Sequence, residues 1–134
     1  ALAVTWYQMA ADQSYAVAVK NLGVMYENGT GVGKDYAKAI ELYGRAGELG
    51  DARGWAYLGT MHENGRGVAK SYSKAVELYR KAMDLGDSRG MAYLGVMYEA
   101  GRGVTRSRAK ALEYLRKAAA MGDEYASERL AKLR

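Results

Sequence analysis

The sequence predicts an all-α fold, a right-handed solenoid of antiparallel helix pairs. Three observations lead to this prediction. Several residue types recur every 36 residues along the 134-residue chain. Each period holds two stretches with apolar residues at helical spacing, and no stretch shows the alternation of a strand. A helix pair of this size cannot cover its own apolar stripe, so we expect successive pairs to stack around one continuous core.

The 36-residue period is clearest in the glycines, of which the chain has 17, whereas it has no proline. The positions that repeat are Gly23, Gly59 and Gly95; Gly29, Gly65 and Gly101; Gly31, Gly67 and Gly103; Gly50, Gly86 and Gly122; Leu22, Leu58, Leu94 and Leu130; Glu27, Glu63 and Glu99; Lys38, Lys74 and Lys110; Ala3, Ala39, Ala75 and Ala111; and Asp51, Asp87 and Asp123. This register predicts a single array: a half repeat at 1–14, full repeats at 15–50, 51–86 and 87–122, and a half repeat at 123–134.

The first helix of each repeat, helix A, is seen best at residues 51–64. Its apolar stripe has the spacing i, i+3, i+4 and i+7 and consists of Trp55, Leu58, Gly59 and His62. Asp51 is placed to cap the start of this helix, and Gly65 can end it in the left-handed conformation. A glycine in mid-helix costs about 1 kcal/mol relative to alanine. We therefore expect Gly59 to permit close packing on the second helix.

The second helix, helix B, is seen best at residues 71–85 and is followed by Gly86. Its stripe consists of Ala75, Leu78, Tyr79 and Ala82. On its outer face, acids stand four residues before bases and predict the ion pairs Glu41–Arg45, Glu77–Lys81 and Glu113–Lys117. Counting the half repeats, the pattern predicts helices near 1–13, 15–28, 35–49, 51–64, 71–85, 87–100, 107–121 and 123–133.

The composition excludes several classes of function. The chain has no cysteine, which rules out disulfides, thiolate zinc sites, thiol nucleophiles and iron–sulfur clusters. A single histidine, His62, rules out metal sites with two or more imidazoles and argues against classical hydrolase chemistry. We expect no metal and no cofactor. No apolar run approaches the ~18 residues of a membrane helix, so we expect a soluble protein whose compartment the sequence leaves open: cytoplasm, periplasm or secreted.

A family pattern is visible from Leu22 to Ala46, which reads LGxxYxxGxGVxxxxxKAxxLYxxA, and a Gly-Asp pair opens each following repeat. These residues closely resemble the Sel-one-like repeat, a relative of the tetratricopeptide repeat with a longer loop between its helices. The resemblance covers essentially the whole chain. It implies a tetratricopeptide-like superhelix that acts as a non-catalytic scaffold or adaptor for other proteins, a type widespread in bacteria.

The chain departs from the family pattern in three places. The usual loop proline is replaced by Gly33, Ala69 and Thr105. The aromatic residue of helix A is His62 in the middle repeat, and the leucine–tyrosine order is reversed at Tyr114-Leu115. These changes affect loop stiffness and local packing, and the fold prediction does not depend on them.

Three sequence features resemble functional sites. His62 occupies the repeat position of Tyr26 and Tyr98, so we interpret it as a packing residue. The loop at 29–34, GTGVGK, resembles a phosphate cradle, but its glycines recur after every helix A and so end helices. Three glutamates at one repeat position, Glu27, Glu63 and Glu99, leave a carboxylate-type hydrolase as a minor hypothesis.

The net charge of +5 does not by itself indicate nucleic-acid binding, because lysines and arginines are distributed among acids. Only Arg102, Arg106, Arg108 and Lys110 form a looser cluster. We expect solvated surface there and no nucleic-acid partner. Membrane-surface binding is not expected either, since the apolar stripes are needed between the helices.

The face of helix A opposite its stripe is predicted to line the concave groove, with Ala56 beside it. The predicted partner-binding residues are Lys20, Asn21, Val24, Asn28, Arg53, Tyr57, Thr60, Asn64, Arg89, Tyr93, Val96 and Tyr125. Packing of the core does not require tyrosine or arginine on this face, so we expect contact with a partner. We take Arg53, Tyr57, Arg89 and Tyr93 as the central anchors, outside the apolar stripe. Their arginines favour an acidic partner segment.

Related tetratricopeptide proteins have a clamp for a C-terminal carboxylate. Lys20 and Arg89 fall at its basic positions, but Val24 and Tyr57 replace its asparagines, so the clamp pattern is incomplete. Three hypotheses of function follow: a scaffold that binds a protein or peptide in its groove, an immunity or inhibitor protein that neutralises one enzyme, and the carboxylate-type hydrolase. The partner and the oligomeric state are left open.

Overall fold

The protein is all-α, as predicted. A computed structural model describes residues 2–12 and 15–133. Over these residues the chain forms eight helices and no strand: α1 (Leu2–Asp12), α2 (Ala16–Asn28), α3 (Tyr36–Glu48), α4 (Ala52–Asn64), α5 (Tyr72–Asp84), α6 (Ser88–Ala100), α7 (Arg108–Ala120) and α8 (Glu124–Leu133). The outer ends of the first predicted helix, at Ala1 and Gln13, lie outside the described residues, as do Ser14 and Arg134. Within the described ranges, no helix has the length and apolar character needed to cross a membrane.

The helix ends follow the predicted capping chemistry. Asp51 precedes α4, and its Oδ1 accepts a hydrogen bond of 3.0 Å from the Arg53 amide. Gly65 ends the same helix in the left-handed conformation, with φ of 66°. Ser71 caps α5 in the same way, accepting from the Lys74 amide at 3.2 Å. The predicted helix bounds included these capping residues, which explains why the helices are slightly shorter than predicted.

The helices stack in chain order as a solenoid. Each helix packs on the next one along the chain, and α4 also contacts α6, which in turn contacts α8. Helix A of each repeat corresponds to α2, α4, α6 and α8, and helix B to α1, α3, α5 and α7. The A helices therefore form one layer and the B helices another, which confirms the predicted all-α solenoid.

Glycine allows the close contact between helix A and helix B. A Cβ placed on Gly59 would lie 2.5 Å from the Tyr79 ring of α5. The equivalent distance is 2.8 Å from Gly23 to the Tyr43 ring, and 2.9 Å from Gly95 to Leu115. Real Cβ atoms do not approach this closely, so the aromatic or leucine side chain of helix B fills the space that glycine leaves. The close packing predicted for Gly59 is confirmed.

The most buried face of α4 is shifted from the predicted stripe, since its buried residues are Gly54, Ala56, Gly59 and Met61 and only Gly59 belongs to the stripe. Ala56, which the helical wheel put beside the wet face, is 0% exposed, as is Met61, whereas Trp55 and His62 of the predicted stripe are half-buried. The reason is that α4 also packs on α3, the B helix of the preceding repeat. There a Cβ on Gly54 would lie 2.6 Å from the backbone nitrogen of Gly47.

The predicted surface ion pairs form only in part. Glu113 and Lys117 pair at 3.3 Å, as expected. The other two pairs are wrong, because Glu41 pairs with Lys38 at 3.8 Å and Glu77 with Lys74 at 3.9 Å, three residues earlier. The Lys81 ammonium instead lies 4.6 Å from the centre of the Trp55 ring. An exposed lysine can thus contact either a carboxylate or an aromatic ring. The spacing of acids and bases in the sequence does not predict which of the two it contacts.

Candidate functional site

The A helices enclose a groove that contains two adjoining cavities. The larger, of about 570 Å³, is lined by Thr60, Glu63, Asn64, Tyr79, Arg89, Tyr93, Val96 and Tyr125. The second, of about 360 Å³, is lined by Val24, Glu27, Asn28, Tyr43, Tyr57, Thr60, Asn64, Arg66 and Tyr93. Thr60, Asn64 and Tyr93 belong to both cavities. The groove therefore runs without interruption from α2 across α4 to α8.

The structure brings together most of the residues predicted for this face. Nine of them line one or both cavities: Val24, Asn28, Tyr57, Thr60, Asn64, Arg89, Tyr93, Val96 and Tyr125. Lys20, Asn21 and Arg53 do not line either cavity. Lys20 also differs from the expectation of a wet side chain, since only 7% of it is exposed. A helical wheel places a residue on a face but does not show how deeply its neighbours cover it.

Five residues of the groove wall were not predicted to lie there. They are Glu27, Tyr43, Glu63, Arg66 and Tyr79. The repeat pattern marks the glutamates only by their recurrence, and the stripe of helix B, as at Tyr79, places the tyrosines in the core. The missing information was the distance between helices, because each of these side chains bonds to a residue of another helix or loop.

A glutamate, a tyrosine and an arginine link helix A to helix B and to the next repeat. The Tyr43 hydroxyl donates to Glu27 at 2.6 Å, and Arg66, from the loop of the next repeat, donates to the same carboxylate at 3.1 Å. The arrangement recurs one repeat later, where the Tyr79 hydroxyl donates to Glu63 at 2.6 Å. Burial, together with the neighbouring glutamate, raises the pKa of both tyrosines.

The third glutamate has a different partner. Because the leucine–tyrosine order is reversed, Leu115 takes the place of the tyrosine, and Glu99 instead accepts from Arg129 of α8 at 2.8 Å. The displaced Tyr114 stacks on Tyr98, with ring centres 5.7 Å apart. All three glutamates are therefore engaged in contacts between helices. This arrangement favours a structural role for them over that of a catalytic carboxylate pair.

Tyrosine rings form the floor of the groove. Tyr93 lies 5.2 Å from Tyr79 and 5.7 Å from Tyr125 between ring centres, and Tyr57 lies 5.3 Å from Tyr43. Burial raises the pKa of Tyr93 and Tyr125. Two of the predicted anchors, Tyr57 and Tyr93, thus pack directly on the core. Alanine at either position is expected to cost stability as well as any binding, contrary to the expectation from sequence.

Two cations from neighbouring A helices lie over the Tyr57 ring, and a third, Arg53, stands on the same helix as the ring. Lys20 of α2 has its ammonium 5.9 Å from the ring centre, and the guanidinium carbon of Arg89 of α6 is 5.4 Å from it. Arg89 also donates a hydrogen bond to the Tyr57 hydroxyl. Arg53 of α4 pairs with Asp51 at 3.4 Å. This corner of the groove therefore combines an aromatic surface with concentrated positive charge.

His62 lies away from the groove on the half-buried side of α4. Burial and, to a smaller degree, the charge of Lys74 lower its pKa. In the described part of the chain, no three histidine, aspartate and glutamate side chains are grouped so that they could hold a metal ion.

Comparison with known proteins identifies the repeat. The Sel1 repeat family model, the Sel-one-like repeat named above, matches residues 1–15, 16–51, 56–87 and 88–123. A comparison with curated proteins finds no match.

Solved structures share the fold over almost the whole chain. A Sel1 repeat protein from Oxalobacter formigenes is 37% identical, with a TM-score of 0.91 over 97% of this chain and 53% of its own. A protective antigen of uropathogenic Escherichia coli is 35% identical, with a TM-score of 0.88 over 96% of this chain and 28% of its own. An immunity protein from Pseudomonas aeruginosa is 27% identical, with a TM-score of 0.73 over 96% of this chain and 48% of its own. The chain thus spans about half the length of the first structure and about a quarter of the second.

Proposed function

Because the chain belongs to the Sel1 repeat family, we propose that it is a non-catalytic interaction module whose groove binds an extended segment of a partner protein. Sel1 repeats commonly serve as scaffolds for other proteins, and the two adjoining cavities offer a continuous binding surface. The observation that carries the proposal is the lining of that surface by tyrosine and arginine. These residue types dominate the energetics of protein interfaces.

The groove favours an apolar or aromatic side chain next to an acidic one. Tyr79, Tyr93, Val96 and Tyr125 line the larger cavity, whose volume is about 570 Å³. Arg89 lines the same cavity and supplies positive charge at its edge. Association is therefore expected to weaken as salt concentration rises, because part of the attraction is between exposed charges.

A groove-filling substitution provides the test. Asn64 is exposed and lines both cavities, so Asn64→Trp fills the groove without touching the core. The matched control is Glu77→Trp, which adds the same ring on the outer face of α5, where the glutamate is exposed. Partners are first captured from native lysate and identified by mass spectrometry, and each is then titrated calorimetrically against both variants.

We expect Asn64→Trp to weaken binding roughly tenfold or more, because the indole ring occupies space that the partner segment needs, and Glu77→Trp to leave it unchanged. The opposite pattern, with loss of binding only in the α5 variant, would move the binding surface to the B helices. Circular dichroism melting curves establish that both variants are folded.

The second candidate function is that of an immunity or inhibitor protein. The observation in its favour is the similarity to the immunity protein from Pseudomonas aeruginosa, which covers 96% of this chain. Both functions use a protein partner, and the stoichiometry separates them. A scaffold binds segments shared by several proteins. An inhibitor binds one enzyme in a 1:1 complex and abolishes the activity of that enzyme. No contact in the groove favours the carboxylate-type hydrolase over either one.

A further inference from the structure

Lys20 is a largely covered residue whose ammonium has no direct ion-pair partner among the described residues. Its side chain is 7% exposed, and among the described residues its ammonium makes neither a hydrogen bond nor an ion pair. The ammonium lies over the ring of Tyr57, and Tyr57 in turn lines the second cavity. The ammonium nitrogen is not among the fully buried polar atoms, so it stays accessible to solvent while the rest of the side chain is covered. Burial and then the charge of Arg53 lower the pKa of Lys20.

The two nearby arginines add to the charge at this point. Arg53 and Arg89 repel the Lys20 ammonium, and Asp51 attracts it. Each arginine retains guanidinium donors that its described bonds, to Asp51 and to the Tyr57 hydroxyl, do not use. Lys20 and Arg89 thus lie over one aromatic ring, Arg53 is close enough to act on the Lys20 charge, and both arginines have unused donors.

The repeat register explains why the charge is unbalanced. In the second and third repeats an aspartate precedes the arginine by two residues, and its carboxylate also accepts from the arginine amide: Asp51 with Arg53 and Asp87 with Arg89. In the first repeat these two positions are Tyr15 and Val17, and the extra cation, Lys20, stands where the later repeats have Ala56 and Ala92. Three cations and two carboxylates leave one positive charge. The next aspartate of the series, Asp123, is bonded to Ser88 and to the first turn of α8.

We propose that Lys20, Arg53 and Arg89 form a carboxylate subsite that binds an aspartate or glutamate side chain within the partner segment. The proposal rests on the groove function above. One carboxylate balances the single excess charge, whereas a phosphate dianion would bring a second negative charge beside Asp51 and Asp87. The groove continues from Tyr57 towards Asn28 on one side and Tyr93 on the other, so the segment passes the subsite rather than ending there.

A displayed peptide library tests the subsite even though the partner is not identified. Random decapeptides held in a scaffold at both ends are selected on the wild-type protein, and the enriched sequences are synthesised with blocked termini. Each is titrated calorimetrically against Lys20→Met and Arg89→Gln. Methionine preserves the apolar stem of the buried lysine, and melting curves check that both variants fold.

Matched controls remove the same charges from helix B. Lys74→Met removes an exposed lysine of α5, and Arg80→Gln removes an arginine that, like Arg89, donates to a tyrosine hydroxyl, that of Tyr98 at 2.6 Å. We expect the enriched peptides to share an aspartate or glutamate at one position. Binding should fall roughly tenfold or more in the two subsite variants, and equally when that acid is replaced by its amide, but not in the controls.

The other outcomes overturn the subsite in distinguishable ways. Enriched peptides that are neutral and bind Lys20→Met as tightly as the wild type contradict the subsite, while their loss on Asn64→Trp still supports the groove. Tighter binding of a phosphoserine version contradicts the choice of carboxylate, and binding that requires a free C-terminus contradicts the side-chain assignment. An absence of enrichment, or enrichment insensitive to Asn64→Trp, contradicts both the subsite and the groove function.

Discussion

At the scale of single residues, the tyrosine hydroxyls of helix B are the most specific feature of the structure. The Tyr79 ring is 0% exposed and fills the space that Gly59 leaves, and its hydroxyl reaches Glu63 at 2.6 Å. Apolar burial and a charge-assisted hydrogen bond thus meet in one side chain. The sequence reveals the apolar part through the stripe of helix B. It does not reveal the bond, since the partner stands 16 residues away on another helix.

Removal of that hydroxyl tests the bond. We expect Tyr79→Phe to lower the free energy of unfolding by about 1.5–3 kcal/mol, the range for a hydrogen bond to a charged group. Tyr15→Phe is the control, because Tyr15 is 59% exposed and a change at such a site typically stays within about ±0.5 kcal/mol. Urea denaturation measures both. Equal, small effects would mean that the Glu63 carboxylate is solvated rather than bonded to Tyr79.

His62 gives the protein a pH-dependent contribution to stability. Burial lowers its pKa below the ordinary value of 6.5, so the unfolded chain binds the proton more readily than the folded one. The stability that depends on neutral His62 is fully present above pH 6.5. It is lost as the pH falls from 6.5 through the lowered pKa of His62 in the folded protein. We expect the urea midpoint to drop more between pH 7.5 and 5.5 in the wild type than in His62→Tyr, which restores the residue of the other repeats. If the urea midpoint falls by the same amount in the wild type and in His62→Tyr, the pH dependence does not come from His62.

At the scale of the helices, the face of helix A on which a residue lies determines whether the fold tolerates a larger side chain at that position. Gly59 faces α5, whereas the adjacent Thr60 lines both cavities of the groove. We expect Gly59→Leu to destabilise the fold by about 1–3 kcal/mol or more through overpacking, and Thr60→Leu to change stability by about 0.5 kcal/mol or less. Similar shifts of the urea midpoint in the two variants would mean that α4 is rotated about its axis relative to α5.

Some features of the helices can be predicted from the sequence of a single repeat, and others cannot. Asp51 and Gly65 are recognisable as caps because capping is chemistry between close neighbours in the chain. The role of Gly54 is not recognisable, because it depends on how near α3 approaches from the preceding repeat. The pairing of Glu77 was also predicted wrongly, since Lys74 and Lys81 stand on either side of it and the Trp55 ring attracts the second.

At the scale of the whole molecule, the stacking of A helices creates a surface that no single repeat has. Tyr93 and Asn64 come from different repeats yet share both cavities. The helical wheel could predict this lining because every repeat places the same positions on the same face. It could not predict the burial of Lys20 or the arrival of Arg66 from a neighbouring loop, because both follow from the distance and rotation between repeats.

Contact between the groove of the A helices and the partner can be tested by site-specific photo-crosslinking. Benzoylphenylalanine is placed at Val96 or Asn64 in the groove, and at the exposed Glu77 or Glu113 on the B helices as the matched comparison. After irradiation in native lysate, adducts are identified by mass spectrometry. We expect one partner segment to crosslink from both groove positions and from neither B-helix position. Adducts formed by the same partner only from Glu77 or Glu113 would contradict the proposed groove function.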